Sequence, residues 1–292
     1  MTAHELDDPV GASLRGRHAH LARRAGSAAT YVDGVSTFAA VPAEPVAADW
    51  DDLARLLGPG AFADLFSAAV TPPGDWEPVF ELDGFQMVLD RPATGPAGAE
   101  PSAAALSAAG SAAALSAAGS AAALSAAASS AVVSSAVLSA AGSAAVVSAA
   151  GSAAARPALV RLGLADVPDM LALTEQARPG PFWARTIEMG AFCGVREEGA
   201  LVAMAGERLA PPGWTEISAV CTAPHARGRG LAERVVRRAI DGILGRGERV
   251  LLHVAAANTG AIRLYERLGF VVRRPVRFHG YRVPPEPLRP AA

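Results

Sequence analysis

Lysine is absent from this 292-residue chain, and all 26 basic residues are arginine. That absence excludes chemistry built on a lysine Schiff base or on the lysine of a Walker-type phosphate loop. Only two cysteines occur, Cys193 and Cys221, too few for a disulfide framework. The first residues, MTAHELDDP, are acidic and lack the apolar stretch of a signal peptide. Charge is also missing from one long stretch. Residues 102–155 contain only Ala, Ser, Gly, Leu and Val. Ser or Gly interrupts their apolar runs every few residues, and Phe, Ile and aromatic anchors are lacking, which argues against a membrane span. The expectation is a soluble, cytoplasmic protein with no membrane partner.

The uncharged tract repeats every nine residues, with Ser102, Ser111, Ser120 and Ser129 in register and Leu106, Leu115 and Leu124 between them. That period is too short for a usual solenoid unit. Alanine favours helix, Ser and Gly oppose it, and no wide apolar stripe is available for docking. The tract therefore reads as an Ala/Ser-rich low-complexity linker without catalytic duty. It divides the chain into residues 1–101, 102–155 and 156–292. The overall charge of −2 conceals a contrast, since residues 1–101 carry −9 and residues 156–292 carry +7. The C-terminal part suits an anionic ligand.

The N-terminal part reads as a small α/β domain. A helix is predicted from Pro9 to Arg24, bearing His18 and His20. A strand or hairpin follows around Asp33-Gly34, between Tyr31 and Val41. A second helix runs from a capping Asp49 to Leu57, stopped by Gly58-Pro59. A short strand spans Phe85 to Leu89. No Cys or acid cluster joins His18 and His20, so no metal site is expected.

The C-terminal part has a richer pattern. A strand at Ala158–Leu162 precedes a helix capped by Asp166 and running through Ala177, then a short helix near Trp183–Gly190. Three strands follow, Phe192–Arg196, Leu201–Leu209 and Thr215–Thr222. Leu231, Val235, Ala239, Ile240, Ile243 and Leu244 recur at helical spacing. Val250–Val254 is almost wholly apolar, as a strand buried on both faces should be. Asn258 or Thr259 caps a further helix ending at Gly269, and a strand resumes at Val271.

The strongest chemical signal is the strand–loop–helix unit at residues 220–232. Gly228 and Gly230 permit a tight turn with inward-pointing amides, and a helix begins directly after them. Free amides at a helix N-terminus, together with its dipole, form an anion site, and Arg227 and Arg229 flank it. A phosphate or pyrophosphate is the natural ligand. A P-loop is excluded because Gly-Lys-Ser/Thr is missing. A dinucleotide fingerprint is excluded because position 233 is Glu, and because Glu248 precedes the next strand rather than ending it.

The segment Arg227-Gly228-Arg229-Gly230-Leu231-Ala232 resembles the pyrophosphate motif Arg/Gln-x-x-Gly-x-Gly/Ala of the GNAT superfamily of acyl-CoA-dependent N-acyltransferases. The preceding strand Ile217–Thr222, with Pro224 after it, is similar to the family as well. So is the second segment, Asn258-Thr259-Gly260-Ala261-Ile262-Arg263-Leu264-Tyr265-Glu266-Arg267-Leu268-Gly269-Phe270. The resemblance covers residues 156–292. The two-part layout resembles the glycine-N-acyltransferase-like branch, with residues 1–101 read as a decayed partial copy of the same fold.

The resemblance implies a GNAT-type mixed α/β sheet and acetyl-CoA as acyl donor, with no metal. Backbone groups of Val220, Cys221 and Thr222 would pair with the pantetheine arm. Amides of Arg227, Gly228, Arg229, Gly230, Leu231 and Ala232 would hold the pyrophosphate. Asn258, whose ordinary role is an N-cap, would also bond the cofactor arm. Tyr265, otherwise a core aromatic, would be general acid to the leaving thiolate. The proton acceptor would be Glu216, on the strand before the loop and sharing a face with Ser218 and Val220, or else a water. The acceptor would be a small-molecule amine or a peptide N-terminus. A non-catalytic acyl-CoA-binding regulatory module and a protein N-acetyltransferase are the alternatives. Cys221 lacks the His–acid partner of a nucleophile. His253 reads as a satisfied core residue. Arg237-Arg238 and Arg273-Arg274, without interleaved aromatics, read as solvated faces, so no nucleic-acid partner is expected.

Overall fold

The computed structural model describes residues 5–66, 68–90 and 157–285. The segment expected to be a linker, 102–155, lies outside the described residues. Helix α1 (Pro9–Arg15) starts where the Asp8 carboxylate accepts a hydrogen bond of 2.8 Å from Gly11 N, with proline in the first turn. It stops at Gly16. The single helix expected to reach Arg24 is therefore cut short. Ala19–Leu21 forms a 3-10 turn, and strand β1 (Ala22–Ala25) pairs with β2 (Ala28–Tyr31), which pairs with β3 (Ala39–Ala40). Helix α2 (Ala47–Leu57) begins two residues earlier than expected. Asp49 sits inside its first turn and accepts from Val46 N at 2.8 Å.

The remaining strands form one sheet. They are β4 (Phe62–Asp64), β5 (Glu77–Leu89), β6 (Leu159–Leu162), β7 (Phe192–Glu197), β8 (Ala200–Glu207), β9 (Trp214–Thr222), β10 (Arg249–Ala255) and β11 (Phe270–Arg282). Their spatial order is β4-β11-β5-β10-β9-β8-β7-β6. All neighbouring pairs are antiparallel except β9 with β10. Helix α3 (Val167–Ala177) follows β6, α4 (Leu231–Leu244) links β9 to β10, and α5 (Thr259–Arg267) links β10 to β11. The apolar stripe of α4, with Leu231, Val235, Val236, Ala239, Ile240 and Ile243 buried, faces the sheet. Each fully buried aliphatic side chain of this kind contributes about 1.5–3 kcal/mol.

The position of β5 is the principal departure from expectation. The division at residues 101 and 156 does not fall between two sheets. Strand β5, from the N-terminal part, lies between β10 and β11, paired to β11 along its length and to β10 over Gly84–Val88. It spans 13 residues, whereas the sequence pattern suggested only Phe85–Leu89. In the sheet, Pro78 sits at the strand start, and Gly84 is required by close approach. A Cβ there would lie 2.3 Å from the Phe278 ring and 2.7 Å from the Val254 carbonyl.

The rest of the N-terminal part covers one face of this sheet. Met189 and Leu209 join Val10, Leu14, Tyr31, Val35 and Phe38 in one core cluster, and Leu6 packs with Trp214 and Leu251. Trp50 and Trp76 meet edge to face at 5.5 Å in a second cluster that includes Val283. Ion pairs also cross between the parts, Arg17 with Glu248 and Arg273 with Asp7. Backbone pairing and burial dominate the junction, since exposed ion pairs contribute about 0–1 kcal/mol each. Residues 156–292 expressed alone should therefore lack a cooperative thermal melt by circular dichroism. Co-expression with residues 1–101 should restore it, and the pair should stay associated in 1 M salt. A stable fragment 156–292 with native-like spectra would contradict this account.

Candidate active site

Strands β9 and β10 run together only at their starts, with Trp214, Thr215 and Glu216 opposite Arg249, Val250 and Leu251. Beyond Glu216 they part. The cause lies in β9, where the register with β8 slips between Met204 and Gly206 and Ala219 takes a left-handed φ of 52°. This bulge bends the strand and shifts its side-chain alternation by one residue. Val220 consequently packs with Ile217 in the core beneath α4 and α5 rather than sharing the Glu216 face as the plain alternation predicts. Among the described residues, the edge of Val220–Thr222 that faces β10 has no strand partner on that side.

The loop after β9 forms as its composition suggested. Gly228 and Gly230 have φ of 75° and 72°, and Gly230 is the residue before the first turn of α4. A Cβ built at either glycine meets nothing within 4 Å, so both project toward open space. That space is a cleft of about 270 Å³ lined by Thr222, Ala226, Arg227, Gly228, Gly230, Leu231, Ala232 and Glu233, and by Gly260, Leu264 and Arg267 of α5. The two sequence segments singled out, 227–232 and 258–270, thus face each other across one opening. The Thr222 hydroxyl is buried without a hydrogen-bond partner among the described residues. An orphaned donor, amides at a helix start and a glycine-floored cleft together fit a pyrophosphate-bearing ligand.

Other expected site residues have more specific placements. Arg229 points away from an anion role, because Glu197 binds its guanidinium through two hydrogen bonds of 2.6 and 2.8 Å. Only its backbone is left for the loop. Asn258 caps α5 by accepting from Ala261 N at 3.1 Å. Cys221 is buried, which pushes its thiol up to about 12 and leaves it inert. Tyr265 is buried beside Phe270, with ring centroids 5.8 Å apart. Burial, reinforced by the Glu216 charge, pushes its phenol up to about 12.

Glu216 is fully buried. Its Oε1 accepts from Arg208 Nη2 and His253 Nδ1, both at 2.7 Å, and its Oε2 accepts from Arg208 Nε at 2.9 Å and Leu209 N at 3.2 Å. Burial alone would raise its pKa, but the Arg208 charge, seconded by these hydrogen bonds, holds it at about 2. Four donors occupy the four acceptor positions of the carboxylate. Glu216 is therefore held as an anion and is a weaker proton acceptor than an ordinary carboxylate. Arg208 lies 4.5 Å from the Phe66 ring centroid and 5.0 Å from that of Phe38.

Sequence reasoning missed the surroundings of this anion. His253 is a buried core residue as read, but it is bonded to Glu216 and to Gln86. Gln86, Arg208 and Asp64 carried no local motif. His18 binds the Tyr31 hydroxyl and the Met189 carbonyl, both at 2.9 Å, and no metal-ligand cluster occurs among the described residues.

The comparisons with known proteins follow this geometry. The FR47-like protein family profile matches residues 192–282. The crystal structure of a GNAT-family acetyltransferase candidate from Novosphingobium aromaticivorans DSM 12444 superposes with a TM-score of 0.68. It is 32% identical and covers 96% of this chain and 98% of that one. The chain belongs to the GNAT superfamily of N-acetyltransferases. A GCN5-related N-acetyltransferase from Kribbella flavida, 16% identical over 96% of each chain with a TM-score of 0.52, shares the fold. A mycothiol acetyltransferase from Mycobacteroides abscessus is 43% identical over 65 residues, a match that spans 22% of each chain. The mixed α/β fold expected from the two motifs is thus the fold of the GNAT relatives. Among the described residues no helix is long and apolar enough to cross a membrane.

Two outcomes test this site. Gly230→Asp would place a carboxylate in the cleft at a left-handed φ, and calorimetry should show lost CoA binding with the circular dichroism spectrum retained. Asp64 is buried, with one oxygen unpartnered among the described residues. Burial pushes its pKa from 3.8 up to about 7 against the lowering effects of Arg208 and Thr37. The folded state then binds this proton more tightly than the unfolded one, so stability is lost as pH rises from about 4 through 7. Asp64→Asn should melt higher than the parent at pH 8, by up to a few kcal/mol at about 1.36 kcal/mol per unit. The gain should vanish by pH 4.

Proposed function

We propose that this GNAT-family acetyltransferase moves an acetyl group from acetyl-CoA to a primary amine by direct attack, without a covalent enzyme intermediate. The cleft at the start of α4 carries the reading. Its glycine-floored amides and the orphaned Thr222 hydroxyl at the end of β9 face the second motif segment across one opening. Amides from Arg227 to Ala232 hold the pyrophosphate. The unpaired edge of Val220, Cys221 and Thr222 takes the pantetheine arm as an added strand, and amides there polarise the thioester carbonyl. Asn258 contributes beside its cap.

The amine nitrogen attacks the carbonyl carbon, the carbon–sulfur bond breaks, and the amine's surplus proton passes to water. Tyr265 Oη donates a proton to the departing sulfur. The buried Glu216 anion supports this by its field. A negative charge nearby disfavours tyrosinate, so Tyr265 remains a proton donor throughout the neutral range. A placement in the glycine-N-acyltransferase-like branch rests on the two-part layout, and a cytoplasmic location belongs to the same reading. The acceptor is a small amine or a peptide N-terminus, and the retained Tyr265 favours an enzyme over a regulatory binding module.

A thiol-release screen with acetyl-CoA and a panel of amines, amino acids and peptides tests the reading. Release with no acceptor above background would count against it. Tyr265→Phe removes only the hydroxyl. It should lower kcat about 10²–10⁴-fold, the usual contribution of general acid catalysis, with little change in acetyl-CoA affinity. The deficit should shrink toward pH 9, where a thiolate of ordinary basicity leaves unaided. A Phe variant turning over at the parent rate across pH 6–9 would make Tyr265 a core aromatic.

A further inference from the structure

Gln86 lies at the middle of β5 and is fully buried. Its Oε1 accepts from Arg273 Nη1 at 2.8 Å, and its Nε2 lies 2.8 Å from the Leu6 carbonyl and 3.1 Å from His253 Nε2. Arginine only donates and a carbonyl only accepts, so these two partners settle which end of the amide is which. Gln86 Nε2 must then be the donor to His253 Nε2. A neutral imidazole that accepts at Nε2 carries its proton at Nδ1, and Nδ1 lies 2.7 Å from Glu216 Oε1. The orientation of the Gln86 amide and the proton on His253 are thereby assigned.

The place of this chain in the fold gives it a role. Glu216 and Leu251 form the last pair joining β9 to β10. His253 stands two residues further along β10, where β9 has begun to leave. The His253–Glu216 hydrogen bond is a side-chain rung across the two strands at the point where they part. We propose that Gln86 is a positioning residue for acetyl transfer: by fixing His253 as a donor to Glu216 it sets the width of the β9–β10 opening in which the thioester is held. This rests on the acetyl-transfer reading above. The reacting carbonyl is held by strand edges, and a misplacement of about 1 Å can cost about 10²-fold in rate. The proposal also assigns a duty to the N-terminal part, since Gln86 lies outside both sequence segments that resemble the family.

The test uses the full-length protein. Gln86→Glu keeps an acceptor for Arg273 but presents no donor to His253 Nε2. Arg273→Ala, at a site whose side chain is 21% exposed, frees the amide to turn. Imidazole nitrogen NMR, assigned with a His253→Asn variant, should show a neutral Nδ1–H tautomer in the parent protein. It should show an imidazolium or Nε2–H signal in Gln86→Glu and a mixture in Arg273→Ala. Turnover of acetyl-CoA with an amine from the screen should fall at least about tenfold in kcat for Gln86→Glu and less for Arg273→Ala. The acetyl-CoA KM should stay within about threefold. An Nε2–H tautomer in the parent protein, or an altered tautomer with unchanged kcat, would overturn the proposal. Because the NMR signal does not depend on turnover, its failure is distinct from a parent protein that transfers acetyl to no amine, which would count against acetyl transfer itself.

Discussion

The structure depends on the pairing of Glu77–Leu89 with two strands that lie on the far side of the uncharged tract. Without that strand, Arg249–Ala255 and Phe270–Arg282 would each present a row of unpaired backbone groups in the interior of the sheet, which native folds do not tolerate. With it, the sheet is continuous from Phe62–Asp64 to Leu159–Leu162. The close contact of Gly84 with Phe278 and the Val254 carbonyl shows how tightly the slot is fitted. The N-terminal part is thus built into the acetyltransferase sheet.

A second constraint follows from the first. Covering the face of the sheet with residues of the N-terminal part buries Glu216, and a buried carboxylate needs compensation. Arg208 supplies the opposite charge, the Leu209 amide and His253 complete the hydrogen bonds, and the Phe38 and Phe66 rings pack on the guanidinium. Its field acts on Tyr265, favouring the protonated phenol.

Flexibility and rigidity are divided sensibly around the cleft. The loop at Arg227–Gly230 uses two glycines at positive φ and takes its form from backbone geometry, and Arg229 pairs with Glu197. The opposite wall is a helix start capped by Asn258. The bulge at Ala219 bends β9 away from β10, and the Glu216–His253 hydrogen bond lies where the two strands part.

What the sequence determined by itself was local. The Arg227–Ala232 loop, the capped helix after Asn258, the amphipathic α4 and the strands of residues 192–222 were legible because each depends on neighbours within a few residues: glycines at a turn, a capping side chain, a period of 3.6 or 2. Tertiary structure decided the rest. Gly16 ended a helix that the pattern extended to Arg24, because the chain had to turn into β1. The length and slot of β5 depended on partners far along the chain. The state of Glu216 depended on Arg208, Leu209 and His253, and the role of Gln86 on Leu6, Arg273 and His253. No periodicity records such contacts, because burial and hydrogen bonding across a sheet are properties of the assembled chain rather than of any window along it.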